Sequence, residues 1–207
     1  MINVLIVEDS RISRESFERQ LASSPEYSVA ASIENAANAE IVCLCNKIDL
    51  ILMDVCTADD ESGIEAAQRI KKNSPQVKII IMTSMPEHSF LQKARECGCD
   101  SFWYKEAGNI SLIEICESTM KGEFIWPSSS PAIMIGLARS DEFTERELSV
   151  IRALAGGMRY EEIAEALYMS TNTVKYHVKN ILQKTGFHST IQVVAEVVEK
   201  RLILPKF

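Results

Sequence analysis

Apolar positions in the N-terminal half fall into short unbroken runs separated by stretches of helical spacing. Strands are predicted at Asn3–Val7, Tyr27–Ser32, Asp49–Asp54, Lys78–Met82 and Ser101–Tyr104. The first, third and fourth are continuously apolar rather than alternating, the pattern of strands buried on both faces. Helical spacing fills the intervals at Ile12–Ser23, Ala36–Asn46, Gly63–Asn73, Ser89–Cys97 and Ile110–Met120, and Gly98 fits a helix C-cap. Strictly alternating strands and helices imply an α/β fold, a parallel sheet covered by helices on both faces. The alternation stops at Trp126-Pro127-Ser128-Ser129-Ser130-Pro131, a linker pattern. Beyond it the spacing is helical throughout, with elements near Thr144–Ala155, Tyr160–Leu167, Thr171–Lys184 and Thr190–Arg201. The division expected is an α/β domain over 1–121, a linker over 122–141 and an all-α four-helix domain over 142–207.

A content of 46% hydrophobic and 25% charged residues is ordinary for a chain with a packed core. No apolar run approaches the roughly 20 residues that span a bilayer. The start, Met1-Ile2-Asn3-Val4, lacks a basic leader region, so a cytoplasmic protein with no membrane partner is expected. The net charge of −7 lies entirely in residues 1–121, with 12 Lys/Arg against 19 Asp/Glu, whereas 122–207 hold 10 of each. From Ala166 to Ala195 there is no acid, against Lys175, Lys179 and Lys184, so overall acidity does not exclude nucleic acid as a partner. Among the six cysteines two pairs, Cys43/Cys45 and Cys97/Cys99, show C-x-C rather than zinc-type spacing, and all six read as reduced, buried thiols.

Chemistry concentrates at the ends of two strands. Glu8 and Asp9 close the first, and Asp54 closes the third. In an open sheet of flavodoxin-like order 2-1-3-4-5, ligands bind outside the carboxyl ends of strands where the order reverses, between strands one and three. The topology would therefore bring together acids 45 residues apart. Three crowded carboxylates disfavour one another's charge, and Mg²⁺ with its oxygen preference would relieve them. A carboxylate there could accept a phosphoryl group, with the Thr83 hydroxyl and Lys105 ammonium, at the ends of strands four and five, as further candidates.

Those residues, with Gly63 downstream and Phe102 three positions before Lys105, resemble the receiver domain of two-component response regulators over 1–120. The resemblance implies that Asp54 is the phosphoacceptor and that Glu8, Asp9, Asp54 and the backbone carbonyl of Cys56 hold Mg²⁺. It implies that Thr83 and Lys105 bind phosphoryl oxygens, and that Phe102 turns inward when Thr83 is drawn to the phosphate. Cys56 and Met85 stand where the family tunes dephosphorylation. Both are apolar, so a long-lived phosphoform is expected. Glu106 replaces a frequent proline, and a cis bond there would cost about 3 kcal/mol.

In the second half, Glu161–Lys184 fits a helix-turn-helix, with Ser170 or Thr171 as N-cap of the second helix. That helix carries Lys175 and Lys179 at i, i+4 beside Tyr176, opposite an apolar face of Val174, Val178, Ile181 and Leu182, an arrangement suited to the major groove. The runs Phe143-Thr144-Glu145-Arg146-Glu147, Ile163-Ala164 and Ser170–Ile181 resemble the DNA-binding domain of NarL/LuxR-type regulators. The resemblance implies DNA contact by Thr173, Lys175, Tyr176 and Lys179, and dimerisation through the last helix. In that helix Thr190 replaces a common arginine, and Glu196 and Glu199 preclude a basic arm. His177 reads as an interior or phosphate-facing residue.

The combined expectation is a transcription factor phosphorylated by a sensor histidine kinase, a homodimer when phosphorylated, binding double-stranded DNA, with RNA polymerase a further candidate partner. It is not a multiple-turnover enzyme. An aspartyl-phosphate phosphatase needs a second Asp two residues after its nucleophile, where Cys56 follows Asp54 and Arg11 follows Asp9. A receiver whose second domain docks protein or RNA is the other alternative, separable by gel shift.

Overall fold

In the computed structural model, which describes residues 1–105, 110–200 and 202–203, the chain divides into two units, one formed by 1–84 and 88–130 and the other by 85–87 and the chain from Pro131 onward. The sheet of the first unit holds β1 (Ile2–Val7), β2 (Tyr27–Ile33), β3 (Leu50–Asp54), β4 (Lys78–Thr83) and β5 (Ser101–Tyr104). All pair in parallel, in the order β2-β1-β3-β4-β5. The helices between them are α1 (Arg11–Ala22), α2 (Ala39–Cys45), α3 (Gly63–Asn73), α4 (His88–Glu96) and α5 (Leu112–Met120).

Strand periodicity sorts the core into two layers. Leu5, Val7, Ile51, Met53, Ile79, Ile81 and Phe102 face one way, onto Ile64, Ala67, Ile70, Leu91 and Ala94. Val4, Ile6, Leu50, Leu52, Ile80, Met82 and Trp103 face the other, onto Phe17, Leu21, Leu112 and Ile115. β3 is buried at every position, which its unbroken apolar run foretells.

Some boundaries differ from those predicted. The helix expected over 36–46 is a 3₁₀ turn, Ala36–Asn38, followed by α2. Asn35 caps the turn through its side chain onto the Ala37 N–H, competing with continuous α-helix at this point. None of the six cysteines is in a disulfide, but only Cys99 and Cys116 are buried. Cys43, Cys56 and Cys97 are half-buried and Cys45, the last residue of α2, is exposed, correcting the expectation of uniformly buried thiols.

The second unit contains α6 (Glu145–Ala155), α7 (Tyr160–Ala166), α8 (Thr171–Thr185) and α9 (Thr190–Glu199) around a core that includes Val150, Ile151, Ile163, Val174, Val178, Ile181, Val193 and Val197. α9 ends two residues earlier than expected, and Arg201 lies outside the described residues. A two-stranded hairpin, β6 (Met134–Ile135) with β7 (Ala138–Arg139), adds buried Ile135 and Ala138 to this core. Among the described residues no helix is long and apolar enough to cross a membrane.

Candidate functional site

The carboxyl ends of β1 and β3 do bring the predicted acids together. One carboxylate oxygen from each of Glu8, Asp9 and Asp54 lies within 4.8 Å of the others, with Glu8 and Asp54 buried and Asp9 exposed. The Lys105 ammonium reaches both buried acids, at 2.5 Å from Glu8 Oε2 and 3.0 Å from Asp54 Oδ1. The Asp54 carboxylate also accepts the Val55 N–H at 2.9 Å, and Glu8 accepts that of Ser10 at 3.1 Å.

Backbone pairing sets these positions. Asp54 pairs in register with Met82, and Thr83, one residue further, is buried at the end of β4. The Thr83 carbonyl accepts the Lys105 N–H at 2.9 Å, fixing where the lysine leaves the sheet. Phe102 lies in β5 in register with Ile81, its ring fully inside and 5.0 Å from that of Tyr104. Cys56 follows Asp54 by two residues and bridges to Ser62. Glu106 lies outside the described residues.

Gly63 explains how close α3 comes to the acid. A Cβ there would stand 1.8 Å from the Asp54 carbonyl oxygen, so any side chain would push α3 off the end of β3. The Gly63 N–H instead donates to the Val55 carbonyl at 2.9 Å.

Burial pushes the Asp54 acid up to about 7. Lys105 opposes this, while Glu8 and Asp9 add to it. For Lys105 burial acts against the charge, but Asp54 and Glu8 outweigh it and the ammonium is held above its ordinary range. One lysine thus bonds two of the three clustered acids. The donors are all hard carboxylate oxygens, which fits a Mg²⁺-type cation that takes a few such ligands and retains waters.

Two contributors were not visible in the sequence. Arg14 donates through Nη1 to the backbone carbonyls of Glu8 (2.5 Å) and Asp9 (3.3 Å), anchoring the acidic turn. Nothing marks this arginine among the other polar residues of α1. Thr57, buried in the β3–α3 loop, accepts from the Ala36 N–H at 3.0 Å and donates to the Glu61 carbonyl at 2.8 Å, tying that loop to the chain after β2.

In the second unit, Ser170 caps α8, its Oγ accepting the Thr173 N–H at 3.1 Å. Lys175, Tyr176 and Lys179 are exposed and Thr173 half-buried, opposite the buried Val174, Val178 and Ile181. His177 is half-buried with its ring 5.8 Å from that of Tyr176. Lys184 behaves differently from the other two lysines. It is bonded to the buried Glu147 at 2.7 Å and to the Glu142 carbonyl at 2.7 Å. The cationic face of α8 is therefore that of Lys175 and Lys179, as the i, i+4 spacing predicts, and of the three lysines in the acid-free stretch Lys184 adds little to a phosphate-binding surface because its ammonium is already neutralised.

A family model described as the response regulator receiver domain matches residues 4–117. One described as bacterial regulatory proteins, luxR family, matches residues 141–197. The response regulator protein VraR of Staphylococcus aureus strain NCTC 8325 is 30% identical over 98% of this chain and 99% of its own length. Among solved structures, RcsB from Salmonella enterica serovar Typhimurium, bound to promoter DNA in the presence of the phosphomimetic BeF3⁻, is similar with a TM-score of 0.64. Its identity is 19%, covering 95% of this chain and 97% of that one. A LuxR-family two-component response regulator from Aurantimonas sp. SI85-9A1 is 25% identical with a TM-score of 0.57, covering 61% of this chain and 89% of its own.

Proposed function

Because this chain belongs to the response regulators with a LuxR-type DNA-binding domain, transcription regulators rather than multiple-turnover enzymes, we propose that Asp54 accepts a phosphoryl group from a sensor histidine kinase and thereby controls promoter binding by α8. The observation that carries this reading is the convergence of Glu8, Asp9, Asp54 and Lys105 on one crevice. In it, residues 1–121 act as the receiver, extended by Ile125 and Trp126, which pack on its core layers, and 142–207 as the DNA-binding domain, extended by the β6–β7 hairpin, so the linker expected over 122–141 narrows to the residues between them.

Asp54 attacks phosphorus through a carboxylate oxygen, and the group leaving the phosphodonor departs in line. Lys105, already beside Asp54, offsets charge on the transferring oxygens, and the Thr83 hydroxyl binds one of them. Glu8, Asp9, Asp54 and the Cys56 carbonyl would hold Mg²⁺, which when bound screens the carboxylates and the phosphoryl oxygens. Phosphorylation draws Thr83 toward Asp54 and favours the buried position of Phe102. Cys56 and Met85 offer no strong hydrogen-bonding group to a hydrolytic water, so the phosphoform persists beyond seconds.

At the other end, Lys175 and Lys179 neutralise phosphates while Thr173 and Tyr176 face base edges. Pairing of two copies doubles these contacts, which lets phosphorylation set affinity. The protein acts in the cytoplasm, and RNA polymerase is a further candidate partner once DNA is bound. Acetyl phosphate with Mg²⁺ should add one phosphoryl group by intact mass and tighten promoter binding in gel shift. Asp54→Ala should abolish both effects, and a variant that still responds to the phosphodonor would refute the assignment.

A further inference from the structure

After α5 the chain does not leave the first unit. Gly122, at φ +84°, closes the helix with its own N–H on the Thr119 carbonyl (3.1 Å) and the Glu123 N–H on the Ser118 carbonyl (2.8 Å). This reverses the chain so that it returns along β5, the open edge of the sheet. The Phe102 N–H donates to the Ile125 carbonyl at 2.9 Å, and the Ile125 N–H donates to Ser101 Oγ at 3.0 Å. Ser101 Oγ lies 2.7 Å from Thr119 Oγ1, which donates to the Ile115 carbonyl at 2.7 Å. A continuous relay thus ties the returning segment to α5.

The next two side chains straddle the sheet edge. Ile125 packs into the core layer on the α1 and α5 side, and Trp126 into the layer holding α3 and α4. The Trp126 ring lies 6.3 Å from that of Phe102, at an interplanar angle of 32°, and the Arg95 guanidinium of α4 sits 5.0 Å from its centre. An edge strand ordinarily presents its N–H groups and outer side chains to solvent. Phe102, on this edge, is only 1% exposed, and the Trp126 ring is part of its cover.

We propose that residues 123–126 form a strap that reads the state of Phe102: Trp126 docks while the Phe102 ring is inside and is released when it turns out. A ring leaving the core on the strap side would enter the space Trp126 fills, so the two positions exclude each other. Coupling of this kind is reciprocal. Docking of the strap favours the inward ring, and an inward ring favours the docked strap. Since Trp126 opens the Pro/Ser-rich linker, its docking sets how much of that linker is free. This rests on the reading of Asp54 as phosphoacceptor and of Phe102 as the residue that follows it.

The chain has two tryptophans, so Trp103→Phe leaves Trp126 as the sole reporter in the full protein. Acrylamide quenching of Trp126 should rise at least twofold on adding Phe102→Ala, with Phe102→Leu intermediate. Acetyl phosphate with Mg²⁺ should lower quenching in the Phe102 protein and leave the Phe102→Ala protein unmoved. Trp126→Ala should cut the phosphodonor-induced gain in DNA affinity at least fivefold at unchanged basal affinity, and Trp126→Phe should retain most of it. Equal quenching with and without the Phe102 ring overturns the strap, a result that needs no phosphoryl group. Incorporation followed by intact mass in the same samples separates the two readings. Phosphorylated protein with unmoved Trp126 sinks the strap alone, whereas failure to incorporate sinks Asp54 as acceptor and leaves the Phe102→Ala comparison to decide whether Trp126 reads that ring.

Discussion

Asp54 in the first unit and Glu147 in the second are both buried carboxylates beside a lysine, at 3.0 and 2.7 Å, yet their acidities move in opposite directions. Burial works against the charge on Glu147, but bonds from Lys184 and from the Thr144 N–H and hydroxyl outweigh it, and the acid is lowered. Burial also raises Asp54, where Lys105 opposes the shift while Glu8 and Asp9 push further up, to about 7. Burial is the largest cause of the rise at Asp54 and the neighbouring acids add to it, so what separates the two sites is desolvation together with the number of acids each lysine must satisfy. One lysine with two capping bonds satisfies one acid. One lysine bonded to two of three clustered acids leaves a site that gains from another positive charge.

The largest expected effect comes from breaking the satisfied pair. Glu147→Ala removes the partner of Lys184 and the capping box of α6 together, and should destabilise the second unit by about 3 kcal/mol. Both tryptophans precede Pro131, so the second transition is followed by far-UV circular dichroism and the first by fluorescence. Asp54→Asn should act with the opposite sign, stabilising the first unit by about 2 kcal/mol at pH 8 without divalent cation, because it removes an under-compensated charge. The pH dependence separates the two further. The folded value of Asp54 lies above its unfolded value near 3.8, so the folded unit binds more protons between there and about 7. Its contribution to stability falls as pH rises through that window and is flat above it. The folded value of Glu147 lies below 4.5, so its contribution is complete above that pH and is lost as pH falls through the lowered value. Denaturation of Asp54→Asn between pH 5 and 7 should lack the first slope. An unchanged slope would mean that some other group causes it.

The same contrast predicts which lysines DNA reads. Lys175→Ala or Lys179→Ala should reduce the slope of log affinity against log salt by about 0.9 for each phosphate left unneutralised. Lys184→Gln should leave the slope alone, because Glu147 already neutralises that ammonium. An equal change for Lys184 would place it on the DNA-facing side after all.

The acid crevice was legible because strand ends are. Continuous apolar runs fix where β1 and β3 stop, the carboxyl-end rule places Glu8, Asp9 and Asp54 together, and the register of β4 and β5 brings Lys105 in. The pairing of Lys184 was not legible. Its spacing, five residues after Lys179, turns it off the face of Lys175 and Lys179, but only the packing of α6 against α8 sets Glu147 beneath it. Arg14 was hidden for a similar reason, since it bonds to backbone carbonyls that any sequence would supply. The 3₁₀ turn at Ala36–Asn38 was masked by helical spacing that ignores the competing Asn35 cap. Hairpins of two-residue strands such as β6–β7 carry too few positions for any periodicity. Trp126 did carry a signal, a large aromatic in a Pro/Ser-rich run, but the linker pattern around it obscured the need for a burial partner.

The smallest effect tests the return of the chain along β5. Two glycines of the first unit are required for different reasons. Gly63 is required by space, with the Asp54 carbonyl 1.8 Å from where a Cβ would sit. Gly122 has nothing within 4 Å of that position but stands at φ +84°. Gly122→Ala should therefore carry only the backbone penalty of a left-handed residue, about 1 kcal/mol. It should shift the first, fluorescence-detected transition and leave the second in place. Gly122→Asn should recover part of the loss, because Asn tolerates this region better than Ala. If Ala and Asn were equally harmful, the constraint at Gly122 would be steric rather than conformational, and the turn that sends Ile125 and Trp126 back to the sheet edge would need a different explanation.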